Sequence, residues 1–327
     1  MSLAREFALI ARHFRPLAAA VPGALSLTDD AALLDPPEGR TLVLAADAMV
    51  EGVHFLPDDP PETIGRKLLR VNLSDLAAMG AAPLGYLLTT ALPQSVDEAW
   101  LAAFARGLAA DQKVFECGLF GGDTVATPGP LTLSLTILGS VGPSRALTRA
   151  GGRVGDEVWV SGTIGDGALG LLALSGRLPD LAEADREFLA ERYRLPRPRV
   201  ILGQRLAGIA TACLDVSDGL VQDLGHLARA SGCAAEIEAA ALPLSSSAAA
   251  VLARDPALLA TCLAGGDDYE LVFSAPADAA ERVEKAGLIA GVPVTRIGRL
   301  VAGEGVRVLA PDGGVIPLER AGWSHFA

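Results

Sequence analysis

Lysine is nearly missing from this chain. Of 27 basic residues only Lys67, Lys113 and Lys285 are lysines, and none follows a glycine. A GxxxxGK[ST] phosphate loop is therefore excluded. Histidine is as sparse: His13, His54, His226 and His325 are scattered, no HExxH occurs, and a zinc enzyme is not expected. The four cysteines (Cys117, Cys213, Cys233 and Cys262) contain no CxxC pair. They form neither a zinc signature nor a disulfide framework, and read as buried thiols in a reducing compartment. No GxSxG nucleophile elbow is present. The basic residues face 39 acidic ones, for a net charge of −12, which excludes a nucleic-acid-wrapping surface. The first residues mix charge with apolar groups (Arg5, Glu6, Arg12, Arg15), unlike the apolar core of a signal peptide. Residues 76–96 are uncharged and long enough to cross a bilayer. Gly80, Pro83, Gly85, Pro93 and Gln94 nevertheless break them into a helix end, a loop and a strand. The expectation is a soluble, cytoplasmic protein.

Half of the 327 residues are hydrophobic and a fifth are charged, enough apolar material for two cores. The pattern predicts helices over 2–20, 63–79 and 96–117. Strands are predicted over 42–48, 131–141, 157–161 and 211–216. In the second strand Leu131, Leu133, Leu135 and Ile137 alternate with Thr132, Ser134 and Thr136, as in an antiparallel sheet with one polar side. The Gly- and Arg-rich stretch 142–156 reads as a boundary between domains 1–142 and 143–327. Helices and strands interleave without strict βαβ regularity, so the fold class is α+β in two domains. Gly165, Gly167 and Gly170 spell GxGxxG after a predicted strand. No strand ending in an acidic residue follows about 20 positions on. The reading is a tight turn packed on a helix, with a nicotinamide oxidoreductase as the rival.

The aspartates carry the chemical signal. Asp29 and Asp30 precede an apolar run, and Asp47 ends another. Asp75 falls on one helical face with Ile64, Leu68 and Val71. A carboxylate on a buried stripe is costly unless paired or bound to a cation. Asp123 follows Gly121 and Gly122, read as a turn that lets the backbone approach a ligand. Asp215 and Asp218 bracket Val216 and Ser217 ahead of a helix near Gly219, and Asp267 and Asp268 follow two glycines. Taken singly, Asp29, Asp156, Asp166 and Asp268 read as ordinary caps and turns. As a set, carboxylates without His or Cys are hard oxygen donors that select Mg²⁺. With divalent ions between the two, an acidic site can hold even an acidic polyphosphate.

The segments TDDAAL (28–33), DAMVEGVHF (47–55), NLSDLAAMGA (72–81), GGDT (121–124), ALTRAGGRVGD (146–156), VSGTIGD (160–166), DVSDGL (215–220) and GDDYEL (266–271) occur in this order, ahead of Gly322-Trp323. Together they resemble the thiamine-monophosphate kinase family. That family belongs to the superfamily of aminoimidazole ribonucleotide synthetase and selenophosphate synthetase. The resemblance implies two α/β domains, a homodimer whose N-terminal sheets join in a barrel, and ATP and thiamine monophosphate as substrates. It implies magnesium ligands at Asp30, Asp47, Asp75, Asp123, Asp215 and Asp218. ATP contacts are implied at Gly122, Asp123, Arg149 and Ser217, and substrate contacts at His54, Asp267 and Trp323. No general base is implied. Four positions depart from the pattern. Thr28 replaces a glycine. Ala45 and Ala46 replace hydroxyl residues, leaving only backbone carbonyls to meet metal. Asp267 replaces a glutamate one methylene longer. Another ATP-dependent synthetase of the superfamily, or a protein that binds ions or nucleotides without catalysis, stays open on the residues alone. Read without the resemblance, His54 is an ordinary hydrogen-bonded histidine, Trp323 either a hydrophobic plug or a ring that stacks on a ligand, and Ser217 a helix cap.

Overall fold

The computed structural model describes residues 7–324. The chain divides into two compact units. The first comprises the residues up to Leu76 together with Ala81–Pro143; the second comprises Ala77–Gly80 and the residues from Ser144 onward.

The first unit is built on a four-stranded sheet of β1 (Thr41–Val50), β2 (Ala82–Leu92), β3 (Gly118–Ala126) and β4 (Thr132–Val141), in the order β1-β4-β2-β3. β4 runs antiparallel to β1 and β2, and β3 runs parallel to β2. Helices α1 (Pro61–Ala78) and α2 (Glu98–Phe115) fill the connections before β2 and β3. α1 opens at a proline, whose missing N–H is no loss in a first turn. α2 is capped by Asp97, which accepts the Trp100 N–H at 2.7 Å. Asp111 of α2, fully buried, ties the helices together by accepting from Arg66 at 3.1 Å and Arg70 at 3.0 Å.

Directly paired residues share a sheet face. Leu133, Leu135 and Ile137 lie with Tyr86, Leu88 and Thr90 on the covered face. Gln112 of α2 donates to the Tyr86 hydroxyl at 3.0 Å there. The other face carries Leu44, Leu87 and Val125 among Ser134, Thr136 and Thr89. Leu44 is 63% exposed.

Two expectations need correction. GGDT is not a turn but part of β3, which the sequence reading missed. Gly122 pairs with Leu88, and a Cβ there would stand 1.7 Å from the Leu88 carbonyl oxygen. The glycine is required for this close strand contact. The N-terminal helix runs to residue 18 but changes type along its length. Residues 2–6 lie outside the described residues. Beyond them a π-turn at Ile10–Phe14 passes into a 3₁₀ turn at Arg15–Ala18, where Pro16 cannot donate to an α-helical ladder.

The second unit has a six-stranded mixed sheet in the order β10-β7-β9-β5-β8-β6. Its strands are β5 (Glu157–Ser161), β6 (Ala212–Asp215), β7 (Ala234–Glu238), β8 (Leu271–Ala275), β9 (Val294–Val301) and β10 (Val306–Leu309). The helices are α3 (Asp166–Leu174), α4 (Glu183–Arg194), α5 (Val200–Leu206), α6 (Leu220–Ala230), α7 (Ser246–Arg254), α8 (Leu259–Ala264) and α9 (Ala280–Ala290). Val158, Val160, Leu214 and Val272 of the sheet pack with Leu220, Leu224 and Leu227 of α6 in one core. All four cysteines are buried and free. Burial pushes the Cys117 and Cys262 thiols up to about 12, and nearby aspartates add to the rise at Cys262. Among the described residues no helix is long and apolar enough to cross a membrane.

Gly107 marks where α2 meets the start of α1. A Cβ there would lie 2.0 Å from the Glu62 carbonyl oxygen. Gly107→Ala is expected to destabilise the first unit by about 1–3 kcal/mol through overpacking, read as a lower melting temperature. An unchanged melting temperature would contradict this packing.

Candidate functional site

In the first unit the predicted residues form two groups. Asp30 and Asp123 both line a cavity of about 760 Å³, together with Asp29, Gly121, Gly122 and Thr124. Phe14, Leu34, Leu88 and Phe120 give it an apolar wall. Asp123 is exposed and accepts the N–H of Thr124 at 2.8 Å. The second group centres on Asn72, a fully buried residue of α1. It accepts the Asp47 N–H at 3.1 Å and donates to the Leu68 carbonyl at 2.9 Å. Asp75 stands three residues beyond Asn72 and so shares its side of the helix. It is half-buried beside an apolar stripe, as its spacing predicts. The register puts Asp47 with Leu135 on the covered face and Asp123 with Thr89 on the other. Ala45 and Ala46 lie on β1, an edge strand. One of their two carbonyls faces β4 and the other faces away from the sheet.

His54 lies in the turn after β1. Its Nδ1 accepts the Val50 N–H at 3.0 Å. The neutral ring therefore carries its hydrogen on Nε2. The His54 carbonyl accepts from Lys67 Nζ at 3.0 Å, and Lys67 is only 2% exposed. Sequence reasoning gave Lys67 no role beyond excluding a phosphate loop.

In the second unit the structure draws several predicted residues into one place. Asp215 closes β6, and residues 216–219 lead into α6. The turn is held by Asp223, which the sequence reading missed. Its Oδ2 accepts the N–H groups of Ser217, Asp218 and Gly219 at 3.0, 3.0 and 3.1 Å. Ser217 is thus not the helix cap. The available signal was an acidic residue in the first turn of α6. Burial, reinforced by the charges of Asp215 and Asp218, pushes the Asp223 carboxyl up to about 7. Trp323 docks on the same turn. Its N–H donates to the Asp218 carbonyl at 2.9 Å, and its own carbonyl accepts from Gln222 at 2.8 Å. Gln222 also donates to the Asp218 carboxylate at 3.2 Å. Trp323 is 52% exposed, which does not match a hydrophobic plug. Asp267 joins through its N–H, which donates to the Ser217 carbonyl at 3.0 Å. Arg149 is exposed, and its carbonyl accepts from Ser231 at 3.2 Å. The His226 ring titrates below its ordinary value, through burial first and then the charges of Arg149 and Arg229.

The GxGxxG segment is a structural turn. Gly165 opens α3 in a left-handed conformation with φ 90°. A Cβ on Gly167 would lie 2.3 Å from the Asp267 carbonyl oxygen. The amides a pyrophosphate would need are taken: Gly165 and Gly167 donate to Asp268 at 2.7 and 3.0 Å. Asp156 and Asp166 are likewise structural. Asp156 accepts from Arg153 N–H and the Thr211 hydroxyl, and Asp166 from the hydroxyls of Thr163 and Ser245.

The outward carboxylates present oxygen donors only. Among the described residues no three His, Cys, Asp or Glu side chains are gathered to hold a metal by themselves. Oxygen donors without His or Cys are of the hard class that suits Mg²⁺.

Models of the N-terminal and C-terminal domains of AIR synthase related protein match residues 28–141 and 153–310. The chain belongs to this family of two-domain proteins, with a mixed α/β fold in each half. Thiamine-monophosphate kinase of Caulobacter vibrioides is 46% identical over 323 residues, 98% of this chain and 90% of that protein. The crystal structure of thiamine-monophosphate kinase from Stenotrophomonas maltophilia K279a is 44% identical with a TM-score of 0.80, covering 89% of this chain and 91% of that one. AaThiL complexed with AMPPCP and TMP is 33% identical with a TM-score of 0.78, covering 100% and 99%. Within the AIR synthase related proteins, the chain is a member of the thiamine-monophosphate kinase family.

The raised Asp223 pKa sets a pH dependence. Its folded value near 7 lies above the ordinary 3.8, so the folded state holds this proton more tightly than the unfolded chain. Its contribution to stability is largest in acid, declines as pH rises from about 4 to about 7, and is then level. Asp223→Asn keeps an acceptor oxygen and removes the titration. Denaturant midpoints of the parent, relative to this variant, are expected to fall across that window. A constant difference would show that Asp223 is ionised throughout.

Proposed function

We propose that this chain transfers the γ-phosphoryl group of ATP to thiamine monophosphate, giving ADP and thiamine diphosphate. One observation carries the reading in physical terms. Ser217-Asp218, Asp267 and Trp323, distant in sequence, are joined by backbone hydrogen bonds, and Trp323 is half exposed there. The likeness to AaThiL complexed with AMPPCP and TMP, over nearly the whole of both chains, supports the choice of substrates.

The nucleophile is a phosphate oxygen of the monophosphate. With a second pKa of about 6, that group is mostly dianionic at neutral pH. It attacks the γ-phosphorus as the bond to the ADP oxygen breaks, and no proton has to be removed first. The protein's work is therefore positioning and charge neutralisation. Asp30, Asp47, Asp75, Asp123, Asp215 and Asp218 are the residues that would hold Mg²⁺, with a backbone carbonyl of Ala45 or Ala46 in place of hydroxyl ligands. Bound there, Mg²⁺ supplies the positive charge that lets two phosphate anions approach. Gly122 and Ser217 line the nucleotide's path, and Arg149 offers its guanidinium fork to phosphate. His54, with its hydrogen on Nε2, donates to the acceptor phosphate. Trp323 offers its face to the cationic thiazolium or the pyrimidine, and Asp267 accepts from the substrate's amino group.

The working form is a homodimer. The exposed sheet face with Leu44, Leu87 and Val125 is the surface a second copy covers. The setting is the cytoplasm, where ATP is supplied and the four thiols stay reduced.

Purified protein is expected to form thiamine diphosphate from ATP, Mg²⁺ and thiamine monophosphate. Asp75→Asn is expected to lower turnover about 100-fold or more with unchanged circular dichroism. Near-parent turnover of that variant at saturating Mg²⁺ would remove Asp75 from the metal site. Light scattering is expected to give twice the 33.5 kDa chain mass, and Leu44→Asp to give monomer. A monomeric parent would refute the dimer.

A further inference from the structure

The segment between α8 and β8 places two non-glycine residues in left-handed backbone, Asp267 with φ 70° and Tyr269 with φ 51°. Ordinary side chains rarely adopt that region, and pairs of such residues persist only where their surroundings over-determine them. The surroundings are on the alternate residues. Asp268 is 1% exposed and takes the two N–H groups at the start of α3. Glu270 is fully buried and accepts from Arg192 at 3.0 Å, from Arg199 Nε at 2.6 Å and from the Ser161 hydroxyl at 2.6 Å. Backbone bonds complete the clamp: Tyr269 N–H donates to the Val216 carbonyl, and Val216 N–H to the Glu270 carbonyl, each at 2.8 Å. Asp267 therefore leaves the backbone from a position fixed on both sides, against the turn that carries Ser217 and Asp218.

We infer that Asp268, Glu270 and Arg199 are positioning residues for substrate selection, holding the strained Asp267 backbone so that its short carboxylate reaches the organic part of thiamine monophosphate. This rests on the proposed activity. None of the three touches substrate. They act through Asp267, whose side chain is one methylene shorter than glutamate and has little conformational freedom to make up for a displaced backbone.

Arg199 is the partner to vary, because its side chain is 15% exposed while that of Glu270 is fully buried. Arg199→Lys keeps the charge and loses the two-pronged bond. It is expected to raise KM for thiamine monophosphate about fivefold to tenfold, with KM for ATP and the melting temperature close to the parent's. The deciding measurement is a double-mutant cycle. In an Asp267→Gly background, where the carboxylate is gone and left-handed backbone is unstrained, Arg199→Lys is expected to raise KM no further. Additive increments, equal losses for ATP and thiamine monophosphate, or an unchanged KM would each overturn the inference. Asp268→Asn serves as the second variant if Arg199→Lys does not fold. A parent protein that makes no thiamine diphosphate would instead refute the activity on which the inference rests.

Discussion

A single oxygen atom, Oδ2 of Asp223, organises the chemistry of the second unit. Three consecutive backbone N–H groups converge on it. Such a concave run of amides is a ready-made anion site, and here the protein fills it with its own carboxylate. The start of α3 is treated in the same way, with Asp268 on its amides. Two runs of backbone amides are thereby closed to a polyphosphate. What the turn holds instead is half-buried Asp218 and buried Asp215, groups that repel phosphate unless a cation intervenes. This is the physical root of the magnesium reading for an acidic protein that has almost no lysine.

Carboxylates thus have two opposite uses in this molecule. Asp111, Asp156, Asp166, Asp223, Asp268 and Glu270 are buried and satisfy donors. Asp30 and Asp123 stand exposed at one cavity, and Asp47 and Asp75 are half-buried near Asn72. Composition does not separate the two uses, because Asp is favoured in caps and turns wherever it serves. Local context separates some of them. Asp75 was legible because a helical period placed it beside an apolar stripe. Asp223 was not, because its partners lie in a turn whose shape no periodicity reveals. The buried system of Arg192, Arg199 and Glu270 joins segments far apart in the chain, and pairing at that distance leaves no mark in one sequence.

The fold was legible in proportion to the strength of its local patterns. Alternation announced β4 and amphipathic spacing announced α1 and α2, with ends displaced by a residue or two, as fraying ends commonly are. β3 escaped notice because Gly121 and Gly122 imitate a turn. At Gly122 the imitation has a steric cause: the strand passes so close to Leu88 that no side chain fits. The glycines of the GxGxxG segment were read as packing, and their contacts with neighbouring backbone agree.

The buried thiols carry a practical consequence. With Cys117 and Cys262 pushed up to about 12 by their surroundings, almost none of their sulfur is thiolate at neutral pH, and thiolate is the form that attacks electrophiles. With all four thiols buried, native protein is a nearly silent background for maleimide or iodoacetamide chemistry. One cysteine introduced on the surface can receive a fluorophore or spin label at a single chosen spot.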